Sequence, residues 1–149
     1  MGDTMKKLII AASLPLFMAA CGSTADEKQI QVSAEALQHH HWILTKIDGE
    51  AISTPDKFAA PDLEIGENFS ANGKAGCNNF FGQAELNDKG QFRIERMGMS
   101  MKACLGDVMK TEQVVTSTLS DWSDISLTKE SLTLQGEQHQ LTFTLSDWK

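Results

Sequence analysis

The sequence has no apolar run long enough to cross a bilayer. Its longest, Leu8 to Ala20 (LIIAASLPLFMAA), would reach roughly 20 Å as a helix, against roughly 30 Å of hydrocarbon. A membrane-spanning helix is excluded there. Clustered basic residues are lacking too: 13 Lys and Arg stand against 20 Asp and Glu, a formal net charge of −7. Phosphate backbones are gripped by grouped cations, so nucleic acid is excluded as a partner, and so is broad adhesion to anionic membrane surfaces. No phosphate-cradling glycine loop and no G-x-S-x-G occurs, which removes nucleotide binding and the common serine-hydrolase arrangement. A Ser, Thr or Cys nucleophile would need an activating His, yet apart from one short tract the chain offers only His139. No catalytic residue is assigned, no cofactor is implied, and the chain reads as a non-enzyme. Internal repeats are absent.

What is present begins with an address. Lys6 and Lys7 precede the apolar run, and small residues close it, the layout of a cleaved secretory leader over residues 1–20. Phe17-Met18-Ala19-Ala20-Cys21-Gly22-Ser23 resembles a bacterial lipobox, in which Cys21 receives acyl chains, palmitate among them, and the peptide is cut before it. Met18 stands where Leu is commonest. One acyl chain anchors marginally, whereas two or three hold firmly. Gly22, rather than Asp, after the lipidated position resembles the signal for transfer to the outer membrane of Gram-negative cells. The expectation is an outer-membrane lipoprotein facing the periplasm, a monomer held to the membrane by its anchor. Residues 21–37 are small and polar and read as a flexible tether; 38–149 is the size of one domain. Losing Lys6, Lys7 and Asp3 with the leader makes the mature chain one unit more negative.

Cysteine is scarce. With Cys21 acylated, Cys77 and Cys104 remain in a chain bound for an oxidising compartment. A disulfide between them is expected, and closing that loop would contribute about 3–4 kcal/mol by chain entropy. The alternatives are two buried thiols or a metal pair. Neither cysteine has another Cys or a His at ligand spacing, so no metal site is assigned.

The domain is patterned mostly with period two, the mark of strands. Trp42–Ile47 reads as a first strand ended by Asp48-Gly49, Leu63–Ile65 as a second and Phe69–Ala71 as a third. Asn72-Gly73 is expected to form a tight turn, with Lys74 to Asn78 returning. Gln83–Leu86 and Phe92–Met99 flank the turn Asn87–Gly90. Phe92 and Ile94 share one parity, and Met97, Met99 and Met101 the other, so a bulge is expected near Arg96 or at Gly98. One helix is predicted over Asp107–Trp122, capped by Asp107, with Val108, Val115, Leu119 and Trp122 as its apolar stripe. Strands at 125–127, 132–134 and 141–145 close the chain. The fold class is α+β: a small curved antiparallel sheet or partial barrel with one packed helix.

Several of these residues together are similar to a family pattern. Trp42-Ile43-Leu44 with Ile47-Asp48-Gly49, then Gly76-Cys77-Asn78-Asn79-Phe80-Phe81-Gly82, then Met101-Lys102-Ala103-Cys104, a helix and paired strands resemble the META domain, and among its members the bacterial lipoproteins. Trp42, Gly76, Cys77, Asn78, Phe80, Gly82, Met101 and Cys104 carry the resemblance; Asn79 stands where members often have Arg. It implies a compact β-rich fold, a cell-envelope location, and a link to heat shock, envelope stress and novobiocin tolerance. It also suggests, by analogy of fold, an acyl chain or other small apolar ligand in the barrel mouth. Two further clusters remain. His39-His40-His41 reads as a solvated lead-in, the alternative being a weak divalent-metal grip by His39 and His41 on one strand face. Met97, Met99 and Met101 offer soft sulfurs suited to Cu(I), or equally to filling a core.

Overall fold

A computed structural model describes residues 27–147. Cys21, the leader and the first part of the expected tether therefore lie outside the described residues. Nine strands are present: β1 (His40–Ile47), β2 (Glu50–Ala51), β3 (Asp62–Ile65), β4 (Ser70–Lys74), β5 (Asn79–Leu86), β6 (Gln91–Met99), β7 (Ser123–Leu127), β8 (Ser131–Gln135) and β9 (Gln140–Leu145). The helices are α1 (Ala34–Leu37) and α2 (Asp107–Ser120).

All strand pairs are antiparallel, and the sheet closes on itself because β1 pairs with β3 on one side and β9 on the other. Eight strands thus form a barrel, with β2 a short appendage of β1. Alternation sends Trp42, Leu44, Leu63, Ile65, Phe80, Phe92, Ile94, Leu132, Leu134, Leu141 and Phe143 inward, all at most 2% exposed. An eight-stranded barrel has just enough room for such a filling. The interior of the barrel is filled by the protein's own side chains. Between β6 and β7 only Gln91–Asp124 and Phe92–Ser123 pair. Helix α2 packs on β6 and β9 beyond them and covers the remainder.

Registers divide the barrel into two rims. One carries His40, Ile65, the 87–90 turn, Leu127 and Leu145; the chain enters here through the bridge from Ile30 to Leu127. The opposite rim carries the 48–61 segment, the 75–78 turn and the 100–106 loop.

Several expectations need correction. Asn72-Gly73 makes no turn but lies inside β4, opposite Phe81 and Phe80. Gly73 is needed there because a Cβ would strike the Asp62 carbonyl and lie 2.8 Å from Phe80 Cζ. The reversal comes instead at Ala75–Asn78, where Ala75 N–H donates to the Asn78 carbonyl at 2.9 Å. Asp107 does not cap α2; Gly106 precedes the helix without a side-chain cap, and Asp107 meets Lys110 Nζ at 3.0 Å. The helix stops at Ser120, so Trp122 lies beyond it, with the Arg93 guanidinium 4.5 Å above its ring. Residues 27–37, read as tether, pack on the barrel: Ser33 Oγ caps α1 and Leu37 is fully buried. The expected bulge is present. Gln83 pairs with Glu95 but Phe81 with Gly98, so Gly82 faces both Arg96 and Met97, and Arg96 takes φ 52°.

Candidate functional site

Four of the residues that carry the family pattern, Gly76, Cys77, Asn78 and Cys104, meet at the second rim. The turn 75–78 runs so close to α2 that a Cβ on Gly76 would lie 2.6 Å from the Val108 carbonyl and 3.0 Å from Glu112 Cβ. This contact permits Asn78 to reach Glu112. Asn78 N–H donates to Glu112 Oε2 at 2.6 Å and its Nδ2 to Oε1 at 2.9 Å, both groups being buried. The same carboxamide clasps the 100–106 loop. Lys102 N–H donates to Asn78 Oδ1 at 2.6 Å, Nδ2 donates to the Lys102 carbonyl at 3.1 Å, and Ser100 Oγ donates to Oδ1 at 3.0 Å. Next to it Cys77 and Cys104 are joined by a disulfide, with Cα atoms 6.1 Å apart. One turn, one loop and one helix are tied through a single side chain and a covalent bridge.

Glu112 escaped the sequence reading. It sits four residues after Val108 and three before Val115, on the apolar stripe of α2, and an acid in that stripe was the available signal. Of the other pattern residues, Trp42 lies in the barrel filling, paired across from Leu63 and Leu145, its Nε1 without a partner among the described residues. Phe80 also points into the core. Gly82 passes beneath Ile94, whose Cγ2 would lie 2.5 Å from a Cβ. Met101 stands almost fully in solvent.

The histidine tract does not share a face as a ligand set. His39 takes φ 65° and is exposed. His40 Nδ1 meets Asp147 Oδ2 at 2.9 Å. His41 is buried between the Ser146 carbonyl and Asp62 Oδ2, each 3.1 Å from a ring nitrogen. Burial opposes the charged imidazole, but the Asp62 and Ser146 bonds with the charges of Asp62 and Glu64 outweigh it and raise the pKa. The methionines also part company: Met97 and Met99 pack on the core after the bulge restores their parity, while Met101 is outside. Among the described residues no three His, Cys, Asp or Glu are grouped to hold a metal. His139 Nδ1 lies 2.7 Å from Asp48 Oδ2, beside a cleft of about 80 Å³ lined by Ser117, Thr118 and Asp121. Gln140 N–H and His139 together hold the Asp48 carboxyl below its ordinary pKa. No helix among the described residues is long and apolar enough to cross a membrane.

The sequence profile of the META domain matches residues 35–148. The chain belongs to the META domain family. It is 30% identical over 144 residues to the heat shock protein HslJ of Escherichia coli (strain K12), covering 96% of this chain and 98% of that protein. Two NMR structures share the architecture. One has a TM-score of 0.67 at 25% identity, covering 78% of this chain and 97% of its own. The other, from Burkholderia xenovorans, has a TM-score of 0.61 at 22% identity over 82% and 96%, a likeness of fold. In this META domain the pattern residues Gly76, Cys77, Asn78 and Cys104 form the knot just described, while Trp42 and Phe80 belong to the barrel filling.

Proposed function

We propose that this META-domain protein is a non-enzymatic lipoprotein, acylated at Cys21 and held on the periplasmic face of the outer membrane, serving the cell under heat and envelope stress. The supporting observation is the use to which the family pattern is put. The polar atoms of Asn78, with those of Ser100, Lys102 and Glu112, bond to one another, and the adjacent sulfurs form a bridge. Such an arrangement builds a durable scaffold, and its disulfide suits an oxidising compartment. The heat-shock name of the E. coli relative, similar along nearly the whole chain, supports the stress role. Mass spectrometry of the protein from its own cell envelope tests the reading: the expected product begins at Cys21 and carries acyl chains. Unprocessed, unacylated protein in the cytoplasm would refute the address. Unchanged survival of a deletion strain under heat and novobiocin would refute the stress role.

A further inference from the structure

The 100–106 loop is held more firmly than a surface loop needs to be, and what it holds outward is apolar. Its fixed points alternate. Ser100 N–H donates to the Asn79 carbonyl at 3.0 Å, Lys102 is clasped at both N–H and C=O by Asn78, and Cys104 is bridged to Cys77. The intervening Met101, Ala103 and Leu105 face solvent, Met101 and Leu105 each at 95% exposure. Elsewhere on the same side of the barrel Phe81 is 62% exposed, its ring lying over Gly98. Isolated exposed apolar residues are ordinary, but two nearly naked ones on a loop fixed by a disulfide and a buried carboxamide are not. The loop has one cation, Lys102, and no carboxylate between Ser100 and Gly106, in a chain with a large acidic excess. Nearby cations are Lys74, bonded to Asn79, and Lys110, bonded to Asp107, the acid that follows the loop in sequence; Glu112 beneath it is buried against Asn78.

We propose that Met101 and Leu105 insert into the interfacial region of a phospholipid bilayer, with Lys102 meeting phosphate between them. Aliphatic side chains flanking a lysine suit that boundary, where the apolar parts enter and the ammonium stays with the headgroups. The contact is local and driven by insertion, which is compatible with an acidic molecule that does not adhere broadly to anionic surfaces. It also bears on orientation, a point that rests on the acylation of Cys21. The loop lies on the rim opposite the entry of the chain at Ile30, and the six steps from Cys21 to Glu27 reach at most about 20 Å. Both contacts can then be made to one membrane only if the barrel lies along the surface rather than standing on it.

The barrel, both helices and the disulfide fall within the described residues 27–147, so residues 22–149 without acyl chains serve as the test protein. Vesicles of phosphatidylethanolamine and phosphatidylglycerol (3:1) are the probe, read by co-sedimentation. The wild type should bind, M101S and L105S should each lower the partition coefficient about tenfold, and K102E should lower it severalfold on these vesicles and less on phosphatidylcholine, whose choline offsets its phosphate. Both serine variants should keep the wild-type circular dichroism and disulfide, since neither side chain is packed. No sedimentation of the wild type, or equal sedimentation of all variants, would overturn the proposal. A wild-type dimer abolished by M101S, with vesicle binding unchanged, would overturn it in favour of self-association. None of these outcomes depends on acylation, which the envelope mass spectrum decides separately.

Discussion

At the residue scale the molecule turns on Asn78. Its side chain is the right length to present one donor edge to Glu112 and an acceptor to the Lys102 and Ser100 donors at once. A buried carboxylate deprived of a donor bears the desolvation cost of the lost bond. N78A should therefore lower unfolding free energy by about 2–3 kcal/mol, because Glu112 keeps only the backbone N–H. The neighbouring Asn79 supplies the control. Its side chain accepts from Lys74 Nζ at 3.3 Å on the surface, and N79A should cost no more than about 0.5 kcal/mol. Urea unfolding followed by tryptophan fluorescence measures both. Equal losses would show that the clasp has no special weight. Glu112 itself illustrates how a polar residue on an apolar stripe, easily passed over as a break in the pattern, can be the partner that makes the pattern work.

At the element scale the end of the chain is secured as a strap by the first strand. Asp147 accepts from His41 N–H at 3.1 Å and meets His40, while the His41 ring spans Ser146 and Asp62. The Ser146 carbonyl and Asp62 Oδ2 are both acceptors, so the doubly protonated imidazole satisfies them best. With the folded pKa raised above the ordinary 6.5, this stabilisation is complete below 6.5 and is lost as pH rises through the folded value. The opposite sign holds for Asp147. Partial burial acts to raise its pKa, but the His41 N–H and His40 bonds prevail and lower it, so its contribution stands above 3.8 and fades as pH falls through the lowered value. Urea midpoints should accordingly fall between pH 6 and pH 9, and H41Q should flatten that fall; an unchanged slope in H41Q would assign it elsewhere. How far such elements could be read from residues varied with the physics involved. The 83–99 hairpin and the last strand were legible because alternation against a single core leaves a period of two, and the bulge near Arg96 because parity breaks between Ile94 and Met97. Asn72-Gly73 misled because tight turns and close backbone approach call for the same residue. Ser33-Ala34-Glu35-Ala36-Leu37 did carry a helix-start signal, hidden in the polar composition of its neighbours. In the knot, Cys77 and Cys104 were legible from arithmetic, whereas the Asn78–Glu112 bond joins residues whose proximity only the tertiary fold creates.

At the scale of the whole molecule, two closures of different kind hold the domain. One is non-covalent: β1 and β9 meet across most of the chain's length, with Trp42 opposite Leu145 and Leu44 opposite Phe143. Period-two patterning shows that strands exist but not that the first finds the last, so a partial barrel was the limit of the sequence reading. The other closure is the disulfide, which joins positions 27 apart near one rim. These closures should fail separately. The core cluster that fills the barrel includes neither cysteine, so C77S/C104S should keep the β-rich circular dichroism of the native chain. Its unfolding free energy should fall by about 3–4 kcal/mol as the unfolded chain regains loop entropy. That is a large share of the 5–15 kcal/mol typical of domains, so folded yield should drop sharply when the wild type is produced under reducing conditions. Hydrogen exchange should also rise first at residues 100–106, because only hydrogen bonds to Asn78 and Asn79 would then restrain the loop. If instead the double variant unfolds entirely, or its loop exchanges no faster than the wild type, the bridge and the barrel are one cooperative unit, and the rim is not the separately fastened device that its exposed Met101 and Leu105 require.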